Sequence, residues 1–391
     1  MTMEDRRRGA WELPEELRLL QETVQRFMEH EVRPLEEGLE HDAAGLPHDL
    51  LQPLQEKARA LGLWSLQTPA EFGGAGLSML GQVVVAEQAA KCRMGAFFPA
   101  AGAFGGNPPS VLFQATSEQF ERYGRPIIEG RSPKAFTAIS ESAGGSDPAR
   151  AIQCRARRVE EHYVLDGTKL WTSHARTADW GVVYARTGEQ GRRDGISCFI
   201  VETDSPGLTT TPIDVMNSFA PSELHFDGVK VPVENRIGGE GEGFDLAADF
   251  LAMGRILYAA GPIGIAQMAL EMTTDWVKSR HVFGSRLADK QGIQWMIADS
   301  EIELRAARLL TYQAAWTADL GGDVRVEASV AKLSATETAF SVLDRCVQMY
   351  GALGLANDMP LERWFRDLRV KRLGEGATEV QRMVVARHLL G

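Results

Sequence analysis

The stretch HYVLDGTKLWTS occupies residues 162–173, in the middle of the chain. Its two halves, His162–Leu165 and Gly167–Thr172, are rich in β-branched and aromatic residues and are predicted as strands. Between them lies Asp166-Gly167, a dipeptide typical of a hairpin turn. This part of the chain is therefore predicted to be β-structure rather than helix.

Similar short segments extend outward from this stretch, beginning near Pro133. A second Asp-Gly pair, Asp227-Gly228, separates two of them and is also predicted as a hairpin turn. The other predicted strands are Ala135–Ile139, Trp180–Ala185, Ile196–Val201, Leu208–Ile213, Glu223–Phe226 and Val229–Val231. Many short strands with few helical segments between them favour a small antiparallel barrel or sandwich.

The flanking parts of the chain are predicted to be helical. Before the β block, apolar residues recur at three- and four-residue spacing from Leu17 to Phe27. After the glycine-rich residues 238–243, long apolar stripes with short connections are typical of a helical bundle. The fold class is thus α+β and predominantly α. Three domains are expected: an N-terminal helical domain at 1–132, a middle antiparallel β-barrel at 133–241 and a C-terminal four-helix bundle at 242–391.

Composition limits the kind of partner. The 391 residues carry a net charge of −11, which argues against nucleic acid or anionic membrane as a main partner. The four cysteines are scattered without a Cys-x-x-Cys pair, and the eight histidines lack metal-ligand spacing. No signal peptide is recognised, and no apolar run is judged long enough to span a bilayer. The expectation is a soluble, cytoplasmic protein with no metal, no nucleic acid and no membrane insertion.

One carboxylate near the C-terminus is a candidate catalytic group. The segment Arg372–Arg382 places Glu375 in a glycine-rich turn directly before an amphipathic run. A single aimed carboxylate in a site that desolvates it is what a general base requires. The alternative is that Glu375 only complements the positive end of the following helix. Thr378 and Glu379 are expected to cap that helix.

Other segments carry polar or aromatic groups suited to a ligand. Residues 139–147 form a strand end followed by a polar, glycine-rich loop, and Trp171 lies on a strand with hydroxyl residues beside it. Arg280, Phe283 and two glutamines follow in one later segment, and Gln348–Gly354 ends a helix in glycines. Walker, Gly-x-Ser-x-Gly, His-Glu-x-x-His and strand-linked Gly-x-Gly-x-x-Gly motifs are missing from the sequence.

In this order and spacing, these segments closely resemble the acyl-CoA dehydrogenase flavoprotein family, from roughly Leu13 to His388. The resemblance implies FAD between the barrel and the bundle, and a cofactor shared between subunits of a homo-oligomer, a dimer or a homotetramer. The cofactor-binding residues that it implies are Ile139, Ser140, Ser146, Trp171, Ser173, Arg280, Phe283, Gln291, Gln348, Gly351, Ala352, Thr378 and Glu379. The substrate-binding residues that it implies are Ser146, Arg255 and Gly376.

The resemblance also implies a mechanism, in which Glu375 removes the α-proton of an acyl-CoA thioester while the β-hydride passes to flavin N5. The family's second position for a base corresponds to Gly254, which has no side chain to do this. Many relatives carry a polar residue where Ala252 stands, so the placement of CoA is left open. Gly374 replaces an aromatic residue of many straight-chain enzymes, which suggests room for a branched, cyclic or bulky acyl group.

The predicted function is therefore FAD-dependent α,β-desaturation of an acyl-CoA, with an electron-transfer flavoprotein as acceptor. The alternative is an oxygen-using flavoenzyme of the same fold: an acyl-CoA oxidase, a nitroalkane oxidase or a monooxygenase. The sequence leaves open which acyl group is used, the direction of the reaction and the choice between dimer and tetramer.

Overall fold

The computed structural model describes residues 12–132 and 134–391, which form two compact units. The first unit contains the described residues up to Leu54, together with Leu77–Ala103 and Met253–Gly391. The second unit contains Gln55–Gly76 and Phe104–Ala252. The predicted N-terminal domain therefore contributes segments to both units, and the three sequential domains stay a prediction.

Helices dominate the first unit and strands the second. The α-helices are α1 (Glu15–Phe27), α2 (Arg33–Glu36), α3 (His48–Ala60), α4 (Met79–Ala89), α5 (Ser117–Gln119), α6 (Arg125–Glu129), α7 (Pro148–Ala151), α8 (Gly243–Ser279), α9 (Gln291–Asp319), α10 (Arg325–Tyr350), α11 (Pro360–Lys371) and α12 (Thr378–Leu390). The strands are β1 (Phe136–Ala138), β2 (Arg155–Val159), β3 (His162–Thr172), β4 (Trp180–Arg186), β5 (Ile196–Glu202), β6 (Leu208–Pro212), β7 (Ser222–Pro232), β8 (Arg236–Ile237), β9 (His281–Val282) and β10 (Ser285–Arg286).

The second unit is organised around one eight-stranded sheet. Its strand order is β6-β7-β3-β2-β4-β5-β8, with β1 also paired to β4. Most pairs are antiparallel, but β1 and β2 each pair with β4 in parallel, so the sheet is mixed rather than purely antiparallel. The pairing path runs from β6 to β8 as an open series, and closure into a barrel stays a prediction.

Strand β4 has a hydrophobic core on each of its two faces, and all seven of its residues are buried. Val183 packs with Tyr163 and Phe199 in one core. Val182 packs in the other core, which includes Ile127 of the helical segment at 117–129. A strand covered on both faces has a continuous apolar sequence instead of an alternating one.

The two Asp-Gly pairs are not hairpin turns, which corrects the sequence-based prediction. β3 passes through Asp166-Gly167 without turning, and β7 passes through Asp227-Gly228 in the same way. The two irregular points oppose each other, and Gly228 N donates to Asp166 Oδ1 at 2.9 Å. Gly167 and Gly228 have positive φ values of 143° and 64°, so each glycine serves a bulge inside a strand.

A turn that the sequence did not signal joins β2 to β3. Val159 pairs with His162, so Glu160 and Glu161 form a two-residue connection. Glu160 adopts a φ of 53° without being glycine or asparagine. The strand pairing on each side overrides the residue's own turn preference.

In the first unit, α8–α12 pack with α1 and α4 of the N-terminal region. α10 lies against α9, α11 and α12, and α4 lies against α1 and α9. α8 approaches α4 so closely that a Cβ on Gly264 would meet Glu87 O at 1.9 Å. Only glycine allows this close approach of two helix backbones.

On α9, Ser300, Leu304 and Ala307 are buried, while other apolar residues such as Met296 and Leu310 are half-buried. On α10, large apolar side chains form only part of the buried face. Leu343 and Tyr350 are buried, whereas small residues such as Ala331 and Ala335 make up much of the buried face. Alanine carries a weak hydrophobic signal, yet its small side chain permits close helix packing.

One described helix, α8, is long and apolar enough to cross a membrane by length and composition. This corrects the statement that no apolar run has sufficient length. Nearly half of its most apolar window, 47%, is buried inside the protein, and the core helix of a soluble protein passes the same test.

Candidate active site

The turn between α11 and α12 holds Glu375, and cations from two helices fix its backbone. Lys332, completely buried in α10, donates from Nζ to Arg372 O at 3.2 Å and to Gly376 O at 2.8 Å. Arg255 of α8 donates from Nε to Glu375 O at 3.1 Å. The predicted residues Arg255, Glu375 and Gly376 thus lie together.

Thr378 does not cap α12, which corrects the prediction from the sequence. The helix begins at Thr378 itself, and the preceding residue, Ala377, makes no side-chain cap. Thr378 Oγ1 instead donates to Glu337 Oε1 at 2.7 Å, and Arg372 Nε donates to the same atom at 2.8 Å. Thr378 therefore ties the end of the turn to α10.

The backbone at Glu375 is strained. Its φ is 54°, in the left-handed region that residues with a Cβ rarely adopt, and Gly376 follows with a φ of 91°. Strain of this kind persists only where the surroundings impose it, and it is concentrated at functional sites. Glu375 also precedes the start of α12 by three residues, which weakens the interpretation that it only decorates the helix end.

Opposing influences set the pKa of Glu375. Its side chain keeps contact with solvent, but surrounding protein atoms are close enough that burial raises the pKa of the carboxyl. The positive charges of Arg255, Lys371 and Lys332 act in the other direction and lower the pKa. Burial is the larger influence, so the carboxylate is a stronger base than one in water.

Glu375 also offers a free hydrogen-bond donor. Among the described residues, no acceptor takes a hydrogen bond from its backbone N–H. Its carbonyl, by contrast, accepts from Arg255 and from Gln381 Nε2, the latter at 3.1 Å. The turn thus presents a carboxylate and an unpaired N–H from one residue.

The family's second position for a base carries no side chain. A Cβ built on Gly254 would meet nothing within 4 Å, so no neighbouring group occupies that place. Arg255, the next residue, binds the Glu375 carbonyl instead. Among the residues that the structure describes, Glu375 is the carboxylate on which Arg255, Lys332 and Lys371 all act.

The space expected beside Gly374 is already filled. A Cβ on Gly374 would meet Tyr258 Oη at 2.4 Å and Tyr258 Cζ at 3.2 Å. An aromatic side chain from α8 therefore stands where one from the turn would otherwise project. The suggestion that Gly374 opens room for a bulky acyl group is wrong at this position.

In the second unit, a strand irregularity directs Trp171 outward. The pairing of β3 with β7 shifts register between Lys169 and Thr172, so Thr172 is buried while Trp171 is 56% exposed. Trp171 takes a φ of 61° at this point. Bulges commonly redirect a side chain next to a functional site, and this one leaves an indole on the surface. Ser173 is exposed beside it.

The predicted loop that follows β1 is fixed to the same strand. Lys169 Nζ donates to Ile139 O at 3.0 Å and to Glu141 Oε1 at 2.7 Å, and Leu170 N donates to Ser140 O at 2.9 Å. Ile139 and Ser140 therefore lie beside the strand that carries Trp171. Ser146 is exposed farther along the loop, and no described residue hydrogen-bonds its hydroxyl.

The remaining cofactor predictions lie in the first unit and are all exposed. Phe283, at the tip of the β9–β10 hairpin, is 98% exposed with a φ of 49°. The Arg280 guanidinium lies 5.7 Å from the Trp276 ring centroid, and Trp276 stacks on Tyr350 at 5.2 Å. This contact brings Arg280 near the end of α10. The exposed residues of this group are Arg280, Phe283, Gln291, Gln348, Gly351 and Ala352.

Several important side chains were missed from the sequence. Lys169 and Lys332 are buried lysines, and buried lysines are rare enough that sequence reasoning assigns them to the surface. Lys332 sits within a stripe of buried small residues, which was the available signal. His174, three residues after Trp171, was not among the predicted site residues; burial and the charge of Lys134 lower its pKa to about 4.

Three family profiles cover almost the whole chain. They are the acyl-CoA dehydrogenase N-terminal domain at residues 14–131, the middle domain at 136–229 and the C-terminal domain at 241–390.

Individual relatives agree with these matches. The short-chain specific acyl-CoA dehydrogenase of Rattus norvegicus mitochondria is 34% identical over 386 residues, covering 97% of this chain and 91% of that protein. The caffeyl-CoA reductase–Etf complex subunit CarC of Acetobacterium woodii is 35% identical over 344 residues, covering 87% and 90%. The structure of butyryl-CoA dehydrogenase from Megasphaera elsdenii superposes with a TM-score of 0.84 at 29% identity, covering 97% and 99%. The chain belongs to the acyl-CoA dehydrogenase family of FAD-dependent oxidoreductases.

Proposed function

We propose that this protein desaturates an acyl-CoA thioester between its α and β carbons, with Glu375 as the base. The supporting observation is the Glu375 turn: a strained carboxylate with a raised pKa, fixed by buried and partly buried cations. The α-proton goes to Glu375 and the hydride leaves from the β carbon, so the thioester is oxidised by two electrons. FAD, when bound, supplies the hydride acceptor.

The unpaired N–H of Glu375 suits the developing negative charge on the thioester oxygen. A backbone donor held in place by Arg255 and Gln381 at its own carbonyl costs little reorganisation during the reaction. Carboxylate and N–H come from one residue, so the turn sets the geometry of both.

The residues expected to hold FAD are suited to a planar, polar ligand. Trp171 presents an exposed indole, and no described residue hydrogen-bonds the hydroxyls of Ser140, Ser146 or Ser173. Phe283 is almost completely exposed on a short hairpin, which suits contact with another molecule. We assign Trp171 and the serines to the flavin region, and Phe283 with its exposed neighbours to the adenine and pyrophosphate region of a partner subunit's FAD.

The homo-oligomer that this arrangement requires is supported by an apolar stripe on α9. Trp295, Ile302, Leu309 and Trp316 are all exposed and recur every seven residues. A stripe with this period forms one side of a helix and suits burial against a second copy. Either a dimer or a tetramer would bury this stripe.

The electron acceptor and compartment are further proposals. CarC of Acetobacterium woodii is a subunit of a complex with Etf, and this supports an electron-transfer flavoprotein as the acceptor. That relative is a reductase, so the reverse reaction, reduction of an enoyl-CoA, is the second candidate. All four cysteines are buried and unpaired, which is compatible with a reducing, cytoplasmic setting. We also propose that the chain is divided into three domains, at residues 1–132, 133–241 and 242–391.

The test is the visible spectrum of the FAD-loaded protein, wild type beside Glu375→Gln, during anaerobic addition of acyl-CoA thioesters. We expect a thioester to bleach the wild-type flavin while the variant stays oxidised. A flavin that no thioester bleaches would contradict the proposal. Turnover with oxygen consumption, in place of transfer to a flavoprotein acceptor, would favour the oxygen-using alternative.

A further inference from the structure

Lys371, the last residue of α11, lies in an aromatic setting beside the candidate base. Its Nζ is 4.5 Å from the ring centroid of Tyr258 and 4.7 Å from that of Phe97. Tyr258 also fills the space next to Gly374, so the lysine and the phenol border the turn that carries Glu375. The charge of Lys371 acts on Glu375. This cluster of Lys371, Tyr258 and Phe97 was not predicted from the sequence.

The Lys371 ammonium lacks the acceptors that its neighbour has. Lys332 donates hydrogen bonds to two carbonyl oxygens of the turn. Within residues 12–132 and 134–391, no oxygen accepts a hydrogen bond from Lys371 Nζ, and the Tyr258 hydroxyl makes none either. The nearest acid of its own helix that acts on it, Asp367, already faces the buried guanidinium of Arg363 at 3.7 Å.

The Lys371 ammonium stays charged under ordinary conditions. Burial lowers its pKa to about 8, so at neutral pH most molecules keep the proton. Lys371 is half-buried, and its ammonium lies between two aromatic rings without an oxygen acceptor, so an acceptor supplied by a ligand would be favourable there. An alkyl chain offers no such acceptor.

The charges around the site favour an anionic acceptor. Arg255, Lys332 and Lys371 all act on one carboxylate, Glu375. Other acids act on the two lysines as well: Glu337 and Glu379 on Lys332, and Asp367 on Lys371. Glu337 and Asp367 are each paired with an arginine, Arg372 and Arg363, and Glu379 is exposed, so the site can still attract a further anion. The phenol of Tyr258, whose pKa is raised by burial and by Glu375, stays protonated and can donate as well.

We propose that Lys371 and Tyr258 bind a carboxylate carried by the acyl group, so that the preferred substrates are CoA thioesters of dicarboxylic acids. The inference rests on the proposed function and narrows it to a substrate class. Lys371 acts in specificity and not in the chemical step.

The experiment compares pairs of thioesters of equal chain length, one ending in a methyl group and one in a carboxylate, across several lengths. For the FAD-loaded wild type we expect at least a tenfold higher kcat/KM for the carboxylate at the best length. Lys371→Met should lower this ratio at least tenfold, whereas Lys371→Arg should keep most of it. The ratio is the readout because any change in the basicity of Glu375 affects both thioesters alike.

Binding to the Glu375→Gln protein provides a second readout that needs no turnover. The carboxylate thioester should perturb the flavin spectrum at a lower concentration than its methyl partner, and Lys371→Met in this background should abolish the difference. If Lys371→Met does not fold, Tyr258→Phe takes its place and should reduce the preference.

Bleaching of the wild type by methyl-ended thioesters, with equal or better kcat/KM than the carboxylates at every length, would overturn this inference and leave the proposed function standing. A flavin indifferent to all thioesters would overturn the proposed function itself. A loss of both activities in equal proportion in Lys371→Met would give the lysine a role other than specificity.

Discussion

Two lysines with no exposed surface hold two loops of this protein, and they differ in how their charge is balanced. In the second unit, Lys169 of β3 holds the loop after β1 through Ile139 O and the carboxylate of Glu141, at 3.0 and 2.7 Å. In the first unit, Lys332 of α10 holds the Glu375 turn through Arg372 O and Gly376 O. The first lysine has a buried acid as its partner, and the second has only carbonyls.

The difference indicates what each lysine is for. At Lys169 the charge is cancelled by Glu141, which also accepts from Gln153 N and Cys154 N at 2.6 and 3.1 Å, so the cluster is a closed structural unit. At Lys332 the charge remains uncancelled by direct contact and acts on Glu375. The loop after β1 is held by a buried ion pair, whereas the turn that carries Glu375 is held by a cation whose charge also acts on the carboxylate.

The largest expected effect comes from removing the carboxylate of Glu375, on which the charge of Lys332 acts. Glu375→Gln should slow flavin reduction by acyl-CoA about 10²–10⁴-fold, the usual contribution of a general base. Stopped-flow absorbance under anaerobic conditions measures it. The turn should stay folded, because Lys332, Arg255 and Gln381 bind its backbone and not the side chain.

An equal loss in Glu375→Asp and Glu375→Gln would still fit a base placed by a rigid turn. A Glu375→Gln protein that reduced its flavin at the wild-type rate would exclude Glu375 as the base.

The next largest effect is expected from breaking the buried ion pair between Lys169 and Glu141. Lys169→Met should lower the free energy of unfolding by about 3–5 kcal/mol, because it leaves Glu141 buried without its cation. The matched change Lys332→Met should cost less, about 1–2 kcal/mol, because both carbonyl oxygens keep another hydrogen-bond donor. Arg372 O still accepts from Thr378 N, and Gly376 O still accepts from Gln381 Nε2. Chemical denaturation of both variants measures the difference.

The double variant Lys169→Met with Glu141→Leu sharpens the comparison. Removing both charges should recover part of the loss, because an apolar pair can replace a buried ion pair. Equal costs for Lys169→Met and Lys332→Met would contradict the distinction drawn between the two lysines.

The sequence predicted the order of helices, strands and helices because apolar periodicity survives in any sequence window. It also singled out Glu375, because glycines on both sides of one acid form a local signal. It did not reveal that Asp166-Gly167 and Asp227-Gly228 are opposed bulges, since an isolated hairpin and two paired bulges share the same dipeptide. Only the pairing of distant strands decides between them.

The supporting residues of the site were hidden for the same reason. Tyr258 is more than a hundred residues from Gly374 in sequence, yet its hydroxyl occupies the place beside it. Trp171 was singled out from the sequence, but its exposure follows from a register shift between β3 and β7. Features that arise from two distant segments carry no signature in either segment alone.

A smaller effect is expected in the pH dependence of catalysis. Glu375 must be ionised to remove a proton, so activity rises as the pH rises through its pKa. Lys332 favours the ionised form, and Lys332→Met should therefore raise the pKa of Glu375 further and move the acid limb of kcat/KM to higher pH. Lys332→Arg keeps the charge and serves as one control. Lys169→Met is the second control and should leave the acid limb in place, because the charge of Lys169 is not among those that act on Glu375. An unmoved limb in Lys332→Met would mean that the lysine only holds the turn.

The smallest effect tests how the far end of the turn is fixed. Thr378→Val removes the hydroxyl that donates to Glu337 at 2.7 Å and should cost about 1–2 kcal/mol at neutral pH. Thr311→Val is the matched control, because its buried hydroxyl donates only to Ala307 O within its own helix. The pKa of Glu337 is lowered because hydrogen bonds from Arg372 and Thr378 outweigh the effect of its burial. The Thr378 hydrogen bond therefore stabilises the protein above that pKa. The loss of unfolding free energy in Thr378→Val should shrink as the pH falls through the pKa of Glu337. A double-mutant cycle with Glu337→Gln isolates the coupling, and a coupling near zero would mean that Arg372 alone anchors the turn to α10.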